Sequence, residues 1–167
     1  PMKILPVSFV MNYEKGVVAL HNFVSLLSYM THQTSIANCA AFSQVSLGNV
    51  CYESGTLYNG AGVAFNEGET KAIVNMLVAA CNSANEHHRV VALGNGLEFK
   101  LWEDDLSERM KKLLDYQEYD TKRTIEEFGG GSSYCYNSVP FTTMFFLKNS
   151  LTIDSLYDVV SAGGDTD

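Results

Sequence analysis

The stretch from Gly16 to Tyr52 runs for thirty-seven residues without one Asp, Glu, Lys or Arg. Residues 1–66 carry only Lys3, Glu14, Lys15 and Glu53, whereas residues 67–167 carry nine basic and seventeen acidic side chains. The whole net charge of -8 therefore belongs to the second part. Charged side chains almost never enter a core unpaired, so a monomer's surface normally displays them throughout. A segment this free of charge is expected to be covered on more than one side, by the rest of the chain, another copy or a partner.

The 167 residues fit a single domain, 1–167, close to the usual size of about 100–150 residues. With 46% hydrophobic and 18% charged residues the chain is globular rather than disordered. An acidic balance without a basic stripe argues against direct nucleic-acid binding, which needs clustered Lys and Arg. A basic protein or a cationic small molecule is the easier partner. Cys39, Cys51, Cys81 and Cys135 show no zinc-ligand spacing and read as free buried thiols, so neither a metal nor a cofactor is expected. Met2-Lys3 leads into a strand-like stretch rather than a signal peptide. The longest helical apolar face, Val17 to Met30, is interrupted by His21, Asn22, Ser25 and Ser28, so no membrane span is expected. These features read as a soluble cytoplasmic protein, in the host cytoplasm for a viral source.

Along the chain, Ile4 to Met11 reads as a strand with an edge or bulge at Pro6. From Gly16, Val17, Leu20, Phe23, Val24, Leu27 and Met30 recur at helical spacing. The opposite face, His21, Asn22, Ser25, Ser28 and His32, is polar yet uncharged and reads as an oligomer interface. Ile36 to Phe42 and Val45 to Tyr52 read as one long bent strand or two short ones, and Leu57 to Phe65 as another strand. A helix follows with Asn66 as its N-cap, Glu67 and Glu69 in its first turn, and Ile73, Met76, Leu77, Ala80 and Cys81 on its buried face. Arg89 to Leu93 and Leu97 to Trp102 flank Gly94-Asn95-Gly96 and predict a hairpin. A charged helix over residues 103–119 with Leu106, Met110, Leu113 and Leu114 inward, a loop over 120–138, a strand from Val139 to Leu147, a helix from Thr152 to Ser161 and a frayed tail complete the series. The order predicts an α+β fold: a ferredoxin-like split βαβ core over about residues 4–102, with a C-terminal helix-strand-helix extension.

Candidate chemistry is sparse. His21 and His32, eleven apart, lack the further ligands that chelation requires. His87-His88 beside Glu86 places an imidazole at a strand edge, where it can act as acid or base, but no nucleophile pattern accompanies it. A helix C-terminus also welcomes His and Arg through its dipole. Glu103-Asp104-Asp105 has the chemistry of a hard-cation ligand set and equally that of a helix start. Asp154 and Asp158, one turn apart, read as a shared metal pair or a solvated face. Gly129-Gly130-Gly131 lacks the Lys-Ser/Thr of a phosphate loop and reads as a lid or linker.

Two family resemblances attach to particular residues. Pro1-Met2-Lys3-Ile4 opening a strand resembles the start of tautomerases, whose N-terminal proline is the catalytic base; no Arg precedes Arg89 to hold their acidic substrates. Val7-Ser8, Cys51-Tyr52, Ala80-Cys81-Asn82 and Thr124-Ile125-Glu126-Glu127-Phe128-Gly129, scattered over residues 4–130, resemble phage S-adenosylmethionine lyases. That resemblance implies a ferredoxin-like trimer with sites between subunits. The sulfonium would be cleaved by its own carboxylate to methylthioadenosine and homoserine lactone, with Ser8, Tyr52 and Glu53 at the site. That family carries a glutamate after the tyrosine, where this chain has Asn59 to Gly62, and the nearest carboxylate is Glu53 beside Tyr52.

The preferred expectation from the residues is a self-associating acidic binding protein, a phage or viral antagonist that occludes a basic host protein. Glu103, Asp104, Asp105, Asp115, Glu118 and Asp120 would be its steering carboxylates. The lyase and a virion component are the alternatives.

Overall fold

Asn66 and Glu69 cap each other at the start of the longest helix. The Glu69 N–H donates to Asn66 Oδ1 and the Asn66 N–H donates to Glu69 Oε2, both at 2.9 Å. Two main-chain donors that the first turn leaves without partners are satisfied in this way. A computed structural model of the chain describes residues 46, 65–94, 96, 105–129, 134–149 and 153–163. Its elements are α1 (Glu67–Gly94), α2 (Leu106–Lys111), a 3-10 segment (Lys112–Glu118), α3 (Thr121–Phe128), α4 (Cys135–Asn149) and α5 (Ile153–Ser161).

Helix α1 buries Thr70, Ile73, Val74, Leu77, Val78, Ala80, Cys81 and Ala84, one stripe at three- and four-residue spacing. It packs against α2 and the 3-10 segment, while α4 packs against α2, the 3-10 segment, α3 and α5. Leu77, Leu106, Met110, Leu113, Phe128, Phe141 and Met144 lie fully inside the shared core. Burying a Leu, Met or Phe side chain stabilises the fold by about 1.5–3 kcal/mol each. Leu106, Met110 and Leu113 face inward as their spacing predicts, with Leu114 packed partly against them.

The described residues contain no strand, which overturns the α+β, ferredoxin-like expectation: this part of the chain is helical. Arg89 to Leu93, read as a hairpin arm, is the continuation of α1. The helix ends at Gly94, and beyond it Gly96 sits at φ 67 with its N–H donating to the Leu93 carbonyl at 3.1 Å. Val139 to Leu147, read as a strand, lies within α4. Its run of apolar and β-branched residues fits either state, because α4 is buried on several sides and shows no polar face to set the period. Thr142 Oγ1 donates to the Ser138 carbonyl at 2.6 Å and Thr143 Oγ1 to the Val139 carbonyl at 2.7 Å, so both hydroxyls are satisfied within the helix.

Residues 120–138, read as a loop, hold α3 and the first turn of α4. The charged helix over 103–119 gives way at Lys112 to the 3-10 segment, where Asp115 departs from helical geometry at φ -94, ψ 23. The last helix, expected from Thr152 to Ser161, is α5. Ser46 is helical and buried, against the strand read from Val45 to Tyr52. The strands at Ile4 to Met11, Ile36 to Phe42 and Leu97 to Trp102, and the helix from Gly16, lie outside the described residues, as does the strand from Leu57 up to Ala64; its last residue, Phe65, is described and lies in neither helix nor strand.

Candidate interaction surface

Eight basic residues fall among those described, and six of them are tied to carboxylates of neighbouring turns or helices. Lys71 pairs with Glu67 at 2.6 Å, Lys122 with Glu126 at 3.8 Å and Arg123 with Glu118 at 3.6 Å. Arg89 pairs with Glu86, Lys111 with Glu108 and Lys112 with Glu127. Lys71 holds Glu67 below the usual carboxylate range, and the hydrogen bond from Arg89 does the same to Glu86. Exposed pairs of this kind add little stability, but they neutralise the cations locally.

Arg109 belongs to the interior scaffold. One of its terminal nitrogens donates to the Glu127 carbonyl and to Asn137 Oδ1, both at 2.8 Å. Its guanidinium lies 4.5 Å from the Tyr136 ring centroid and 5.2 Å from that of Phe128. Its charge thus rests on a helix-terminal carbonyl and two aromatic faces. The sequence carried a sign of this, since Arg109 falls on the Leu106, Met110, Leu113 stripe.

Six acidic residues remain among those described, and three of them hold helix ends. Glu69 completes the cap of α1. Asp105 accepts from the Ser107 N–H at 2.9 Å, from Ser107 Oγ at 2.8 Å and from Asn85 Nδ2 at 3.2 Å, which caps α2 and joins it to α1. Asp120 accepts from the Arg123 N–H at 2.7 Å and caps α3. Asp115, Asp154 and Asp158 are exposed and face no cation among the described residues; Asp158 accepts from the neutral Asn149 Nδ2 at 2.6 Å.

Two of these three lie on α5. Ser155 is fully buried, and Val159 and Ala162 pack against the core, which fixes the inner face of the helix. Leu156, Tyr157 and Val160 point the other way and are 50%, 64% and 49% exposed. Their spacing forms an outward apolar strip, with Asp154 and Asp158 one turn apart on its flank. Sequence reading noticed the two Asp residues and missed the strip. The sign was an apolar arc wider than a one-sided helix needs, running through Leu156, Tyr157, Val159, Val160 and Ala162.

The expected steering cluster is divided by the structure. Asp105 and Asp120 are caps, Glu118 pairs with Arg123, Asp115 meets no cation among the described residues, and Glu103 and Asp104 lie outside them. The interface residues His21, Asn22, Ser25, Ser28 and His32 and the lyase residues Ser8, Tyr52 and Glu53 also lie outside them. His87 and His88 sit inside α1 rather than at a strand edge, and burial pulls the His88 imidazole below its usual pKa. Burial pushes the Cys135 thiol up, so it favours the unreactive protonated form. Among the described residues no group of three His, Cys, Asp or Glu side chains is arranged to hold a metal ion, and no helix is long and apolar enough to cross a membrane. No protein-family model, curated protein or solved structure matches the chain.

Proposed function

We propose that this chain is a binding protein that captures a basic protein partner. The observation that carries the reading is the distribution of charge: six of the eight described cations are spent in local pairs, while Asp115, Asp154 and Asp158 stay exposed without one among the described residues. Such carboxylates set a negative potential that steers a cationic partner and repels an anionic one. Steering is thereby assigned to these three residues ahead of Asp105 and Asp120, each of which has a carboxylate oxygen engaged in a helix cap. Self-association through the uncharged sequence of residues 16–52 is part of the same proposal and rests on the sequence.

Interferometry against immobilised protamine, from about 50 to about 300 mM salt, tests the reading, because screening acts on exposed charges over this range. Saturable binding that weakens with salt, and that weakens further with a flatter salt dependence in the D115N/D154N/D158N variant, is expected. Equal affinity and equal salt dependence in the two proteins would overturn the proposal.

A further inference from the structure

The outward face of α5 combines two properties that rarely share one exposed helix. Leu156, Tyr157 and Val160 form an apolar strip, although Ser155 and Val159 already hold the helix against the core. Along the helix itself the charge has one sign: Ile153–Ser161 contains Asp154 and Asp158 and no Lys or Arg. Large apolar side chains grouped on a surface mark contact sites, and the surrounding charge selects the contact. A second copy laid antiparallel, face to face, would bring the Asp154 and Asp158 flanks of two chains to the same side, which like-charge repulsion disfavours. An anionic lipid surface or a nucleic acid is disfavoured for the same reason. An amphipathic helix with Lys or Arg beside its apolar face satisfies both features, in the side-by-side mode by which helices take up helical partners.

We infer that the Leu156, Tyr157 and Val160 face of α5 is a docking site for a cationic amphipathic helix of a protein partner. This rests on the reading of the chain as a binder of basic proteins and adds the place and the shape of the bound segment. Tyr157 supplies the largest contact, an aromatic side chain with a hydroxyl suited to the edge of an interface. Asp154 and Asp158 fix the orientation of the incoming helix by meeting its basic flank.

The test uses fluorescence anisotropy of the full chain with three labelled synthetic peptides. One is a Lys/Leu helix with a single apolar face, one has the same composition scrambled to remove that face, and one replaces Lys by Glu. The faced Lys/Leu peptide is expected to bind, the Glu peptide not to bind, and the scrambled peptide to bind at least about ten-fold more weakly. The L156S/Y157S/V160S variant, altered only at exposed positions and checked for helix content by circular dichroism, is expected to lose about ten-fold for the faced peptide. D154N/D158N is expected to lose several-fold and to flatten the salt dependence. Equal binding of faced and scrambled peptides to both the wild type and the Ser variant would overturn docking on α5 while leaving capture by charge intact. Absence of binding by either cationic peptide would overturn both readings. A dimer in light scattering that the Ser variant dissociates would identify a second copy as the occupant and overturn the inference.

Discussion

Arg109 donates to Asn137 Oδ1 at 2.8 Å and thereby ties α2 to α4 across twenty-eight positions of sequence. The same nitrogen reaches the Glu127 carbonyl at the end of α3, so one guanidinium joins three helices. Removing it leaves two part-buried acceptors without their charged donor, and such bonds are worth about 1.5–3 kcal/mol. Arg109→Ala is expected to lower the unfolding free energy in urea by about 2–3 kcal/mol. Arg109→Lys should recover little of this, because an ammonium cannot lie flat on Tyr136 while reaching both acceptors.

Gly129 ends α3 at φ 75, and a Cβ placed there would come within 3.2 Å of Asn137 Nδ2. Gly129→Ala is expected to cost about 1 kcal/mol for the left-handed backbone. It should also be non-additive with Arg109→Ala, since both disturb Asn137. Strict additivity in urea unfolding would contradict the shared contact.

Capping carboxylates and steering carboxylates separate by stability. Asp120→Ala is expected to cost about 1 kcal/mol. Asp105→Ala should cost more, because it also releases Asn85 of α1. Asp115→Asn and Asp154→Asn are expected to stay within about 0.5 kcal/mol of the wild type in thermal or urea unfolding. A destabilisation of Asp115→Asn as large as that of Asp120→Ala would assign Asp115 a structural role.

His88 gives the fold a pH dependence of known sign. Burial lowers its pKa in the folded chain, so the unfolded chain takes up the proton first as the pH falls. The contribution to stability is complete above the ordinary imidazole value of about 6.5 and is lost as the pH falls from there through the lower, folded-state pKa. His88→Gln is expected to flatten the unfolding free energy over that window; an unchanged slope would show that His88 does not set it.

Local chemistry was legible in the sequence, and the state of the apolar runs was not. Asn66, Glu67 and Glu69 announced α1, and the inward positions Leu106, Met110 and Leu113 followed from spacing alone. Arg89 to Leu93 was misread because a valine pair before Asn-Gly is also how a hairpin arm ends; the run is the last turn of a 28-residue helix that ends at Gly94. In α4 the difficulty was burial itself, since Phe141, Met144 and Phe145 meet neighbours on several sides and leave no polar alternation to count. Helix α3 carried readable ends, Asp120 and Gly129, but the glycine run that follows drew the whole segment into a loop. Of the candidate surface, the acidic residues were legible individually. Which of them the fold uses as caps and which it leaves to solvent depended on where the helices begin.

Hydrogen–deuterium exchange of the full chain, with and without saturating faced Lys/Leu peptide, tests the capture of a cationic helix most directly. Slower exchange across Ile153–Ser161, absent with the Glu/Leu peptide and lost in L156S/Y157S/V160S, is the predicted result. Unchanged exchange in that helix while the peptide is bound would contradict it.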